Sequence, residues 1–156
     1  MIKNLSKLFR RAVPGALALG LACATATAAT PKQILVVSVT KGFRHDVIPA
    51  VDALMKELAD QSGKFTVDYA QTEEQLAAKL TVAALAKYDG VVFNNTSGDL
   101  PLPDRDGFLA WIKSGKGFVG LHAATDTLGG FPPYIDMIGG RSEERRVGKE
   151  CRSRLS

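Results

Sequence analysis

The chain contains two histidines, and each stands where a short motif could present it to a ligand. His122 lies inside "GKGFVGLHAATDT" (115–127), directly after an apolar run and among the small residues Gly120, Ala123 and Ala124. Small neighbours permit a sharp turn and close approach of other groups. There a neutral imidazole could serve as general base, hydrogen-bond donor or metal ligand. A half-buried imidazole bonded to a backbone carbonyl fits the same letters. Asp126, four residues on, could orient His122 or bind hydroxyls; it could equally cap the next turn with Thr125 and Thr127.

His45 belongs to "GFRHD". Gly42 allows an unusual backbone conformation, Phe43 is an apolar anchor, and Arg44 offers a fork for a carboxylate or phosphate. Asp46 is placed to cap a following helix. A surface position is the ordinary alternative for a histidine in such a loop. "NNTSGD" (94–99) adds Asn94, Asn95, Thr96, Ser97 and Asp99, a polar set suited to sugar or carboxylate hydrogen bonding, although loops are polar in any case. Tyr134, in "GGFPPYIDMIGG", could line a crevice or pack under a proline turn, and Trp111 sits among apolar neighbours at core spacing. Two histidines and a carboxylate match a common ligand set for a divalent metal such as zinc, with His45 and His122 as ligands, but no local spacing enforces it. "TKGFRHD" is neither a Walker loop nor a dinucleotide loop.

The elements that must position these residues are legible from periodicity. "QILVVSV" (33–39) is a continuous apolar, β-branched run of the kind buried on both faces of a sheet. Val47, Ile48, Val51, Leu54, Met55 and Leu58 follow at helical spacing, with Gly63 as a stop. "FTVDY" (65–69) is a second strand. Residues 73–87 form a helix with Leu76, Leu80 and Leu85 on one side, and "GVVFNN" (90–95) is a third strand. A helix runs from about Asp104 to Ser114, and "FVGLH" (118–122) is the fourth strand. The β-α-β-α-β-α-β order predicts an α/β protein with a parallel, doubly wound sheet. Ligands of such sheets bind beyond the carboxyl ends of the strands, where "TKGFRHD", "NNTSGD" and "HAATDT" all fall. Both histidines are thereby expected on one rim.

Charge is unevenly distributed. The whole chain carries +4, but residues 29–140 hold ten Lys and Arg against thirteen Asp and Glu. That mildly acidic body lacks the basic footprint of a nucleic-acid binder. Residues 1–28 read as a secretory signal peptide: a positive "MIKNLSKLFRRAVPG", an apolar "ALALGLACATATA", and Ala26-Thr27-Ala28 as cleavage site. The apolar run is too short for a membrane anchor. Arg10-Arg11 leaves Sec and twin-arginine export both open, and a periplasmic or secreted protein is expected, with no membrane association after cleavage. The tail "RSEERRVGKECRSRLS" (141–156) has no apolar period and reads as non-native sequence or a solvated basic tail. The two cysteines, Cys23 and Cys151, fall in these end segments. The body therefore offers no disulfide, no thiol nucleophile and no cysteine zinc site.

Together "GFRHD", "NNTSGD", "GKGFVGLHAATDT" and "FPPYIDMIGG" resemble the trehalose-utilisation (ThuA-like) family, across roughly Gln33 to Gly140. The resemblance implies the class I glutamine-amidotransferase-like superfamily and its flavodoxin-like three-layer sandwich. In true amidotransferases the strand matching "FVGL" ends on a nucleophilic Cys held in a tight elbow. His122 stands at that place here, so thiol-dependent glutamine hydrolysis is unavailable. The resemblance also implies a role in carbohydrate metabolism, with a sugar or keto-sugar as small-molecule ligand and a sugar dehydrogenase as a partner. A sugar hydrolase or lyase and a non-catalytic sugar-binding module both fit. An amidotransferase-like hydrolase using Ser97 or Thr125 as nucleophile is a third reading. Family members continue past "GG" with further strands, so the domain reads as incomplete after the fourth strand, with that strand exposed at its edge.

Overall fold

The computed structural model describes residues 29–140. The expected signal peptide with Cys23 and the expected tail with Cys151 lie outside the described residues.

Four strands, β1 (Lys32–Val37), β2 (Phe65–Ala70), β3 (Gly90–Asn94) and β4 (Gly117–Leu121), form one sheet in the order β2-β1-β3-β4. All three pairings are parallel, with Leu35 opposite Asp68 and Val91, and Val91 opposite Phe118. Helices cross between them: α1 (Ile48–Ser62), α2 (Glu73–Lys79), α3 (Val82–Leu85) and α4 (Arg105–Lys113). A 3-10 turn (His122–Asp126) and α5 (Pro132–Ile138) follow β4. The α/β fold with a parallel, doubly wound sheet expected from the strand order is the fold observed, and it is consistent with the flavodoxin-like sandwich that the resemblance implies.

Side chains of a strand alternate between faces. Leu35, Val37, Val91, Phe93 and Phe118 point to the face that holds the main core, where they meet Leu76, Leu80, Leu85, Leu100, Phe108, Trp111 and Tyr134. Phe93 anchors this layer, stacked on Phe108 and edge-on to Phe118. On the opposite face Val36 and Val92 are buried, and Ile48, Asp52 and Ala59 of α1 are buried beneath their helix. Farther along that face Val119 stays 50% exposed, at a groove also lined by Ile34, Val92 and Lys116. No strand pairs with the outer edge of β4 among the described residues.

Several local expectations are corrected. Residues 73–87 make two helices rather than one, because Thr81 turns the chain and caps the second with its hydroxyl, accepting from the Ala84 N–H at 3.1 Å. Asp46 does not cap α1. Val47 is the N-cap, in helical conformation and without a side-chain bond, and a proline in the first turn removes one of the donors a cap would satisfy. The buried stripe of α1 is also rotated, leaving Leu54 and Leu58 about half exposed. The helix expected from about Asp104 to Ser114 is α4, and Asp104 caps it, accepting from the Gly107 N–H at 2.7 Å. "FPPYIDMIGG" is a short helix, started by its prolines and stopped by left-handed Gly139.

Candidate functional site at the strand ends

The direction of chain traverse reverses between β1 and β3, since β1 connects outward to β2 and β3 connects outward to β4. A crevice at such a point is the usual ligand site of an open α/β sheet. The loops after β1, β3 and β4 meet there and are zipped together by backbone bonds. Lys41 N–H donates to the Ser97 carbonyl at 2.9 Å, Gly98 N–H to the Asp126 carbonyl at 3.0 Å, and Leu128 N–H to the Gly98 carbonyl at 3.0 Å. The Thr96 and Thr127 hydroxyls, both buried, add a 2.8 Å bond between the second and third loops.

His122 is the first residue beyond β4 and has φ +48°. That left-handed conformation is uncommon for any residue with a Cβ. A strand that turns on one left-handed residue into a helix is the geometry of a nucleophile elbow, and here it presents an imidazole. The small neighbours have a measurable role. A Cβ on Gly120 would stand 3.1 Å from the Ala124 Cβ, tighter than ordinary contact. Ala123 and Ala124 are buried under the turn, while His122 is exposed above it. The other non-glycine residues with positive φ among the described residues are Asn95 (+50°) and Leu128 (+51°). All three lie in this loop cluster, and such backbone strain gathers where surrounding structure over-determines a site.

The His45 and His122 rings lie 4.7 Å apart, centroid to centroid, at an edge-to-face angle of 71°. Two side chains separated by most of a sheet in sequence therefore share one lip, as parallel strands require. Phe43 extends the row, its ring 4.9 Å from His45 at 77°. Asp126 is exposed on the 3-10 turn, and Thr125 donates its hydroxyl to the His122 carbonyl at 3.3 Å.

The remaining sequence candidates separate into rim and support. Arg44 is exposed at the rim and its Nη1 donates to the Ser38 carbonyl at 3.1 Å. Asp99 is paired with Arg105 at 2.9 Å, away from the imidazole pair in its bonding. Ser97 is buried and its hydroxyl donates to the Phe43 carbonyl at 2.9 Å. Asn94 is fully buried: its Nδ2 donates to Asp52 Oδ1 at 2.8 Å and to the Ile48 carbonyl at 3.1 Å. Tyr134 is buried too and donates to the Ala124 carbonyl at 2.9 Å, bracing the elbow from below rather than lining the crevice. Burial pushes the Tyr134 phenol well above its ordinary pKa, so it remains a donor across the working pH range.

One supporting residue escaped the sequence reading. Asp52, on α1, accepts from the Ser38 hydroxyl at 2.6 Å and the Gln71 amide at 2.9 Å as well as from Asn94. It joins β1, β3, α1 and the loop after β2 just below the rim. The available signal was an acid on the buried phase of a helix, four residues after Ile48 and seven before Ala59. Asn95 adds a buried Oδ1 with no hydrogen-bond partner among the described residues, while its Nδ2 donates to Asn94 Oδ1 at 2.8 Å.

Among the described residues no group of three or more His, Cys, Asp or Glu side chains gathers closely enough to hold a metal ion. The lip offers two imidazoles, one ligand short of the three protein ligands usual at a catalytic zinc. The chemistry these residues suit by themselves is acid–base: a half-buried and an exposed imidazole held edge to face, with Thr125 and Asp126 on the same turn.

Comparison with known proteins agrees with this fold. A family model described as trehalose utilisation (ThuA) matches residues 33–154. A solved ThuA-like protein from Bacteroides uniformis ATCC 8492 superposes with a TM-score of 0.53 at 23% identity, over 74% of this chain and 47% of that one. The present chain thus spans about half the length of that relative. Comparison with curated proteins gave no match. The chain belongs to the ThuA, or trehalose utilisation, family.

Proposed function

We propose that the protein processes a sugar or keto-sugar at the lip formed by His45 and His122. The observation that carries this reading is the pairing of the two imidazoles, 4.7 Å apart, on a strained elbow at the switch point of the sheet. A family described by trehalose utilisation supplies the substrate class. In the proposed chemistry one imidazole removes a proton, from the carbon beside a carbonyl in a lyase step or from an attacking water in a hydrolase step. Its neighbour gives a proton to the leaving oxygen as the C–O bond to that oxygen breaks. Asp126 and Thr125, on the same turn, and Arg44 are placed to bind hydroxyls or a carbonyl oxygen. Positioned acid–base groups of this kind contribute roughly 10²- to 10⁴-fold in rate.

The test is turnover and binding measured together on a panel of disaccharides and their keto derivatives, for the full chain and for His122→Ala and His45→Ala. Binding retained with turnover reduced by two or more orders of magnitude supports the reading. Turnover unchanged in both variants overturns it. A second reading is a sugar-binding module acting beside a sugar dehydrogenase, in which exposed Arg44 and Asp126 at the same rim hold hydroxyls without turnover. Binding by all three proteins with turnover by none selects that module. Export also belongs to the proposal, since "MIKNLSKLFRRAVPGALALGLACATATA" has the order of a signal peptide. Mass spectrometry of the protein from a bacterial periplasm should find a chain beginning near Ala29, and a cytoplasmic chain retaining Met1 would refute it.

A further inference from the structure

Phe43 is 72% exposed, the most exposed large apolar side chain among the described residues. A single exposed phenylalanine is ordinary on a protein surface; what distinguishes this one is how firmly its backbone is held. The Phe43 carbonyl accepts from two hydroxyls, Thr40 Oγ1 at 3.1 Å and Ser97 Oγ at 2.9 Å. The two hydroxyl oxygens lie 3.0 Å apart, so either can turn its single proton to the other in place of the carbonyl. On either side the loop is clamped to its neighbour. Gly42 N–H donates to the Ser97 carbonyl at 3.3 Å, and a Cβ on Gly98 would stand 2.9 Å from the Gly42 nitrogen. Gly98 has φ +76°, so both space and conformation require glycine there. The ring is also steadied by its edge-to-face contact with His45, which in turn meets His122. Phe43, expected as an apolar anchor, is held by its backbone while its ring is displayed.

We infer that Phe43 is a stacking platform for the apolar C–H face of a sugar ring whose polar edge lies over His45 and His122. This rests on the sugar reading of the site given above and adds a specific subsite to it. Sugar rings carry hydroxyls around the edge and C–H groups on the faces. A flat apolar plate beside polar hydrogen-bonding groups is complementary to both. Holding the plate in advance reduces the ordering cost of binding. Aromatic stacking contributes beyond simple area burial, so loss of the ring should weaken binding by about 2- to 13-fold.

The test titrates trehalose and glucose into the full chain and into Phe43→Ala, Phe43→Leu and Phe43→Tyr, reading affinity by saturation-transfer NMR. Exposure of the side chain means that all three variants should melt with the wild type, which circular dichroism verifies. The platform predicts weaker binding in both Phe43→Ala and Phe43→Leu, with near wild-type binding in Phe43→Tyr. Leucine performing as well as phenylalanine overturns it, because area rather than a flat ring would then suffice. Equal binding by Phe43→Ala overturns it while leaving the sugar reading intact. Failure of the wild type to bind either sugar counts against both.

Discussion

The left-handed conformation of His122 makes a prediction whose sign is diagnostic. His122→Ala and His122→Gly remove the same imidazole and the same edge contact with His45. They differ in whether a Cβ remains on a residue at φ +48°. Left-handed backbone costs a residue with a Cβ about 1–2 kcal/mol, whereas glycine loses about 0.5–1 kcal/mol more conformational freedom than alanine on folding. The balance favours the glycine variant by about 0.5–1 kcal/mol. In a domain of this size that raises the glycine variant's Tm above the alanine variant's by roughly 2–8 °C. Thermal melts followed by circular dichroism, under identical buffer, give the comparison directly. At an ordinary strand end the order would be reversed, with glycine the less stable. A Tm for His122→Gly below that of His122→Ala therefore refutes the elbow, and with it the reason His122 is presented above the rim.

Two other expectations test the supports. Gly120→Ala should destabilise the protein by about 1–2 kcal/mol, because its new Cβ would press on the Ala124 Cβ at 3.1 Å; combining it with Ala124→Gly should recover part of the loss in a double-mutant cycle. Asp68 supplies a pH test. Desolvation pushes its carboxyl up, but the hydrogen bonds from Lys79 and Tyr88 and the Lys79 charge outweigh it and hold the pKa down, from 3.8 to about 2. A depressed carboxylate contributes stability that is present above pH 3.8 and lost as pH falls towards 2. With its side chain 40% exposed, solvent screening reduces that contribution to about 1 kcal/mol. Asp68→Asn should therefore melt below the wild type at neutral pH, with the gap closing between pH 4 and 2; a gap independent of pH would contradict the ionic account.

What the sequence made legible follows from periodicity and topology. Four apolar strand runs separated by helical crossovers are enough to force parallel pairing, and parallel pairing puts the carboxyl ends of "QILVVSV", "GVVFNN" and "FVGLH" together. The meeting of His45 and His122 is thus a consequence of topology and needed no knowledge of either loop. Small residues around His122 announced a tight turn, and the structure gives it a left-handed φ of +48°. Where the reading fell short, the deciding information was tertiary. The break at Thr81 depends on a hydroxyl choosing a backbone N–H over continuing the helix. The exposure of Leu54 and Leu58 depends on which flank of α1 meets the sheet, which periodicity alone leaves ambiguous by a turn. Asn94 and Ser97 looked like ligand groups because they are polar and in a loop, but burial commits them to Asp52 and to the Phe43 carbonyl. Phe43 looked like an anchor because it is apolar, and only the loop geometry reveals that it is displayed.

Val119 is half exposed, and among the described residues no strand pairs with the outer edge of β4, so this side of the sheet carries exposed apolar surface. The loop cluster lies at the strand ends, held by bonds within the described residues, so its geometry can be tested on this chain as it is.

The most direct measurement is a carbon-edited NOESY spectrum of the imidazole protons, recorded with and without trehalose. With ring centroids 4.7 Å apart, the account predicts a cross-peak between His45 and His122 in the free protein and displacement of both resonances as the sugar is added. Absence of the cross-peak in folded protein would separate the two imidazoles and contradict the account at its root.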